Sequence, residues 1–132
     1  LAARVVSSKD LVVISADGTV DLEASEAAIE RLFEELEGDT KKSVIFDLRA
    51  ASCKLSVAEV YGVVDFLAKH GSKRDLYGKV AIFLKGQAHR SKAEFFALTA
   101  QNRGLEARVF DGVEQLGEWL GADPSGLFGS TR

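Results

Sequence analysis

The sequence has 132 residues, enough for one domain with a real hydrophobic core and too few for two of ordinary size. Apolar residues make up 46% and charged residues 28%, a globular rather than a disordered composition, and the net charge of -3 argues against nucleic acid as a partner, because such domains carry a basic excess. A single cysteine, Cys53, forbids an intrachain disulfide, no Cys/His cluster has metal-ligand spacing, and no apolar run approaches a membrane span or a signal-peptide core. A cytoplasmic chain without metal, cofactor or membrane insertion is expected.

Along the chain, Arg4–Ser8 and Leu11–Ser15 (LVVIS) predict an N-terminal hairpin across Lys9-Asp10, and Asp17-Gly18 reads as the turn that closes the second strand. Asp21–Glu37 predicts a helix with Leu22, Ile29, Leu32, Phe33 and Leu36 on one face, ended by Gly38 and the polar turn Asp39–Lys42. Ser43–Arg49 (SVIFDLR) is apolar almost throughout, as in a central parallel strand buried on both faces. Ser56–His70 predicts a second helix with the stripe Val57, Val60, Tyr61, Val64 and Leu67, capped by Gly71. Lys79–Leu84 is another buried strand, Arg90–Arg103 a third helix closed by Gly104, Leu105–Phe110 a strand, and Gly112–Leu120 the last helix.

The expected order is therefore β-β-α-β-α-β-α-β-α. Such alternation predicts an α/β domain over residues 1–120, with a mixed, mostly parallel five-stranded sheet, four helices and right-handed crossovers. Residues 121–132 read as a C-terminal extension whose pair Leu127-Phe128 is able to dock. No Met occurs, so the chain reads as processed or trimmed, with residues expected before Leu1.

Three helix starts share one pattern: Ser56-x-x-Glu59, Ser91-x-x-Glu94 and Asp111-x-x-Glu114 read as capping boxes. The loop Gly86–Arg90 follows a strand and opens a helix, the usual place for an anion, but has one glycine and no phosphate-loop spacing. Lys85, His89, Arg90 and Lys92 make it basic, so it is either a solvated loop or the seat of a phosphate or carboxylate. Asp47 near the end of a buried strand needs a partner, which Arg49 or backbone supplies. Cys53 is expected in a loop as a partly buried thiol, His70 as a complement to a helix C-terminus, and Trp119 in the core or over it. Val63 and Phe66 lie off the expected stripe of the second helix, and Phe95 and Phe96 stand side by side on the third. That width is filled by mutual packing of the helices or left for a partner, a second copy or an apolar ligand.

The segments VIFDLRAAS before a capped helix, KVAIFL, LEARVF and DGVEQLGEWL together resemble the STAS-like domains, the anti-sigma-factor antagonist fold, and in particular its SpoIIAA-like bacterial branch. The resemblance runs from Ser43 to Leu120, with agreement over Leu11–Glu37. It implies the same fold and a non-catalytic interaction or regulatory module in a branch without a defined biochemical role. In signalling members a serine opening the second helix is phosphorylated, and Ser56 stands there, with Leu55 and Ala58 in place of the motif's Asp and Gly.

Three functions follow as expectations. The first is an interaction module, with a protein partner or a homodimer on a surface around Val63, Phe66 and Phe95. The second is a carrier of a small apolar or anionic amphiphile, held near the carboxyl ends of the strands (50–55, 85–90 and 111–112), with Lys85, His89 and Arg90 for its head group. The third, an enzyme, requires Asp47, Cys53, His89 and Asp111 to converge. An enclosed cavity favours the carrier, and a solid interior beneath an exposed apolar patch favours the interaction module.

Overall fold

The computed structural model describes residues 2–36, 42–74, 77–87 and 89–128. The N-terminal apolar runs form strands β1 (Ala2–Ser7) and β2 (Leu11–Val20), paired antiparallel with Val5 opposite Ile14. From β2 the chain alternates α1 (Leu22–Leu36), β3 (Lys42–Cys53), α2 (Val57–Arg74), β4 (Tyr77–Phe83), α3 (Arg90–Asn102), β5 (Glu106–Phe110) and α4 (Val113–Leu120), then a 3-10 turn at Ser125–Leu127. The five strands lie side by side in chain order, and every pairing after the first is parallel. This is the mixed, mostly parallel sheet with four helices that the sequence predicts.

Because each crossover steps to the next strand in the same direction with the same hand, α1, α2 and α3 all cover one face of the sheet. Their apolar stripes meet Val12, Ile14, Val44, Val80, Ile82, Ala107 and Val109. Ile29, Leu32, Leu36, Val64 and Leu67 are fully buried there, and each such side chain contributes roughly 1.5–3 kcal/mol of burial. The opposite face carries Val13, Ile45, Ala81, Phe83 and Phe110, covered by Leu116 of α4 and by Phe128. Trp119 is half-buried, its ring 5.3 Å from that of Phe110.

The strands around the middle of the sheet are longer than their apolar runs. Asp17-Gly18 does not turn: β2 continues to Val20, with Gly18 at φ 103, and β3 continues to Cys53, so that Val20 pairs with Cys53. Continued ladder hydrogen bonding overrides the local turn signal, and glycine supplies the positive φ at no steric cost. The register shifts once on the way. Ser15 pairs with Asp47 but Asp17 with Ala50, so Ala16 faces two residues of β3, Leu48 and Arg49, in a β-bulge.

Other boundaries shift for equally local reasons. α2 runs through Gly71 to Arg74, because a glycine permits a helix end without compelling one. Its buried stripe is Val60, Val63, Val64 and Leu67, whereas Val57 and Tyr61 are exposed. α2 lies between α1 and α3, so its Phe66 leans on Phe33 of α1 and its Tyr61 on Phe95 of α3. Of the three expected capping boxes only the one at Ser56 forms, with Ser56 N–H donating to Glu59 Oε1 at 2.9 Å and Glu59 N–H to Ser56 Oγ at 3.2 Å. α3 starts before Ser91, and α4 starts after Gly112, so neither Ser91 nor Asp111 occupies a cap. Gly38, the turn at 39–41 and the side chain of His70 lie outside the described residues.

Candidate functional site

Between the sheet and its three covering helices lies a cavity of about 110 Å³ at the carboxyl ends of the parallel strands. Its floor is Ile14 and Ala16 of β2, Phe46 and Leu48 of β3, and Ile82 with Leu84 from β4 and its end. The bulge decides the rest of the β3 wall. Up to Leu48 the even-numbered residues face the helices, and beyond it Ala51 and Cys53 do, with Ala50 and Ser52 turned out to solvent. Val60 and Val63 of α2 and Ala93 and Phe96 of α3 close the helix side. Phe46 and Phe96 meet edge to face, with centroids 6.4 Å apart.

Small residues make the space. Ala24, Ser25 and Ala28 of α1 and Ala93 of α3 stand where larger side chains would fill it. Ser25 is the buried polar residue of this wall, 9% exposed, and it continues the inward stripe of α1 by helical spacing through Ile29, Leu32 and Leu36. Its backbone N–H bonds Asp21 O at 3.0 Å, whereas its hydroxyl has no hydrogen-bond partner among the described residues. Reading the stripe by apolar residues alone skips Ser25; the spacing from Ile29 is the signal that finds it.

The amino ends of all three helices point toward this end of the sheet, which favours negative charge. His89, exposed, and Lys92, half-buried, line the cavity's edge, and neither has an ion-pair partner among the described residues. His89 is the N-cap of α3 and adopts a left-handed backbone conformation at φ 60. Arg90, expected beside it, points elsewhere: its guanidinium pairs with Glu94 at 3.3 Å and with Asp111 at 3.5 Å. Lys85 is exposed and does not line the cavity. The basic group at the cavity is thus His89 with Lys92, because Arg90 is claimed by acidic neighbours one helical turn away and on the next loop.

The expected apolar surface also resolves differently. Val63 is 3% exposed and belongs to the cavity wall. Phe66 is half-buried against Phe33, with centroids 6.0 Å apart, and Phe95 is half-buried with Tyr61 edge-on at 5.2 Å. The helices fill the apolar width by packing on one another. What stays exposed along α2 and α3 is Val57, Tyr61 and Leu98. Ser56 is exposed at the start of α2, its hydroxyl engaged in the capping box.

The four groups required for an enzyme do not converge. Asp47 lies on the α4 face of the sheet, bound to Arg49, while Cys53 and His89 line the cavity on the other face and Asp111 pairs with Arg90. Among the described residues, no group of three or more His, Cys, Asp or Glu is placed to hold a metal ion, and no helix is long and apolar enough to cross a membrane.

On the α4 face, Arg49 is clamped by Asp47 and stacks on two rings, its guanidinium carbon 4.5 Å from the Phe83 centroid and 4.7 Å from that of Phe128. The hydrogen bonds that Arg49 donates to Asp47 hold its guanidinium above its ordinary range, more than offsetting its partial burial. Arg4 Nη2 donates to Phe128 O at 3.2 Å, so two arginines hold the end of the described chain.

No family model and no curated protein matches this sequence. Solved structures do match the fold. The crystal structure of an uncharacterized protein from the DUF3478 family with a SpoIIAA-like fold, from Shewanella loihica PV-4, superposes with a TM-score of 0.57 at 22% identity, covering 90% of this chain and 92% of that one. The anti-sigma factor antagonist SpoIIAA in its unphosphorylated form matches at TM-score 0.52 and 18% identity, over 89% of this chain and 94% of that one. The phosphorylated form of the Bacillus cell fate determinant SpoIIAA matches at TM-score 0.52 and 16% identity, over 89% and 99%. The chain has a SpoIIAA-like, STAS-like fold, as the sequence motifs imply, and at these identities the likeness concerns the fold alone.

Proposed function

We propose that this protein is a non-catalytic module that binds a small amphiphilic acid, with the apolar body in the cavity and the acid group at His89 and Lys92. The observation that carries the reading is the cavity itself: apolar walls at the carboxyl ends of the strands, ringed by helix amino ends and edged by two unpaired basic side chains. Its volume suits a body of about six carbons, since an engineered cavity of about 150 Å³ in another protein admits benzene.

The test is a titration of the isotope-labelled protein with hexanoate, followed by amide and methyl NMR. Shifts confined to Ile14, Val63, Ile82, Ala93 and their neighbours are expected, and Val63→Phe, which fills the space, abolishes them while leaving the remaining spectrum folded. No shift at millimolar hexanoate, or shifts that survive Val63→Phe, would sink the reading.

A second reading is favoured by a different observation. Val57, Tyr61 and Leu98 are large apolar side chains left exposed on neighbouring helices, and Val57 directly follows Ser56 in the chain. One of the structures with this fold is an anti-sigma factor antagonist. On this reading α2 and α3 dock a protein partner or a second copy in the cytoplasm of a bacterium, and phosphorylation of Ser56 regulates the contact. Light scattering across a concentration series decides the homodimer: a mass that stays that of one chain at every concentration removes it.

A further inference from the structure

The unpartnered hydroxyl of Ser25 says more about the ligand than the apolar walls do. Ser25 is nine-tenths buried, sits on the inward stripe of α1, and lines the cavity. Buried polar side chains nearly always have a hydrogen-bond partner, and an unpaired one costs stability. Packing does not call for a serine here: Ala24 and Ala28 on the same wall show that alanine fits the helix, and alanine is the better helix former. Water is a poor substitute partner, because a buried water needs two to four polar contacts and the neighbouring walls are apolar.

The position of Ser25 matters as much as its chemistry. α1 crosses between β2 and β3, and α3 crosses between β4 and β5, with α2 lying between them. Ser25 on α1 and the pair His89 and Lys92 on α3 therefore stand on opposite sides of one apolar space. A ligand spanning it would lie between the residues of a basic edge at one end and Ser25 at the other.

We infer that the ligand is a short oxygenated acid: a carboxylate or phosphate group at His89 and Lys92, an apolar body, and a second, uncharged oxygen (hydroxyl or carbonyl) hydrogen-bonded to Ser25. This rests on the acid-binding reading and adds the class of molecule. Plain fatty acids of the same length leave the Ser25 hydroxyl unpaired and bind less well. Sites built to hydrogen-bond a substrate oxygen discriminate against analogues that lack it for this reason.

The experiment compares butanoate, hexanoate and octanoate with their terminal hydroxy acids, by NMR titration of the full chain and of Ser25→Ala. For the best-fitting length, the hydroxy acid is expected to bind the native chain more tightly than the plain acid. Ser25→Ala should weaken the hydroxy acid roughly three- to tenfold, the worth of one neutral hydrogen bond, and leave the plain acid unchanged. The ligand-free Ser25→Ala protein should also melt at a higher temperature than the native chain, because an orphan hydroxyl has been removed. If both series bind and Ser25→Ala affects them alike, the inference falls while the acid-binding reading stands. If the variant melts lower, the hydroxyl is satisfied in the free protein, and the inference falls again. If no acid of either series binds, the reading beneath it fails as well.

Discussion

Asp47 and Arg49, two residues apart on one strand, form a two-pronged ion pair, with Nε to Oδ1 at 2.8 Å and Nη2 to Oδ2 at 2.9 Å. The carboxylate is buried and the guanidinium a third exposed, so the two halves of the pair are not equivalent. Arg49→Ala strips a buried carboxylate of its counter-charge and removes the cation stacked on Phe83 and Phe128; a cost of about 2–4 kcal/mol in urea unfolding is expected. Asp47→Ala leaves an arginine that can turn to water and costs less. The double variant should cost less than the sum of the two, and strict additivity would show that the pair is not coupled.

The Phe128 contact should behave as a local fastening. Phe128→Ala is expected to expose the amides of residues 122–128 to hydrogen exchange while those of β3 and β4 stay protected, because the docked segment ends the described chain and takes no part in the ladder that pairs β3 with β4. Hexanoate affinity should not change, since the sheet separates Phe128 from the cavity.

Acid should loosen the same segment. Asp123 accepts hydrogen bonds from the Ser125 hydroxyl at 2.6 Å and the Ser125 N–H at 3.0 Å, and these hold its carboxyl below the ordinary range. A depressed carboxylate contributes stability that is complete above its unfolded value of about 3.9 and disappears as pH falls through the folded value. Exchange protection at Ser125–Phe128 should therefore drop below about pH 4, and Asp123→Asn should remove that pH dependence. Persistence of the acid-induced loosening in Asp123→Asn would assign it to another group.

His89 tests whether the cavity's edge is kept at a cost. Its left-handed backbone burdens a residue with a β-carbon by roughly 1–2 kcal/mol, and glycine relieves it. His89→Gly should raise stability by about 1 kcal/mol and lower hexanoate affinity, separating fold from binding. Lys92→Ala should weaken hexanoate and spare hexanol. Arg90→Ala should leave hexanoate binding unchanged, since Arg90 is engaged by Glu94 and Asp111.

At the start of α2, Ser56→Ala removes the hydroxyl that accepts from Glu59 N–H and should cost about 1 kcal/mol, whereas Ser56→Asp, also a good cap, should be nearly neutral. A large loss in Ser56→Asp would mean that Glu59 cannot tolerate a second negative charge there, and a phosphate would meet the same obstacle.

Much of this architecture is legible in the sequence because periodicity carries it. The apolar runs around Ile45 and Val80 read as buried strands, and the stripe through Ile29, Leu32 and Leu36 reads as a helix face. What stays hidden depends on partners distant in the chain. Asp17-Gly18 has the chemistry of a turn, and only the parallel ladder from Asp17–Ala50 to Val20–Cys53 keeps it extended. Arg90 looks as available as Lys92 until Asp111, on the loop after β5, is placed beside it. Ser25 breaks an apolar stripe, and its meaning appears only when the space it faces is found to be empty of partners.

The bulge at Leu48-Arg49 makes the cavity's lining depend on a count as well as on identities. Residues before it and after it are read in two different frames, and one residue more or less would exchange Ala51 and Cys53 for Ala50 and Ser52 along the wall. An apolar surface with a thiol would become one with a hydroxyl, while the strand itself kept its length to within one residue. An insertion or deletion at the bulge would thus change the chemistry of the cavity wall in this chain without any substitution.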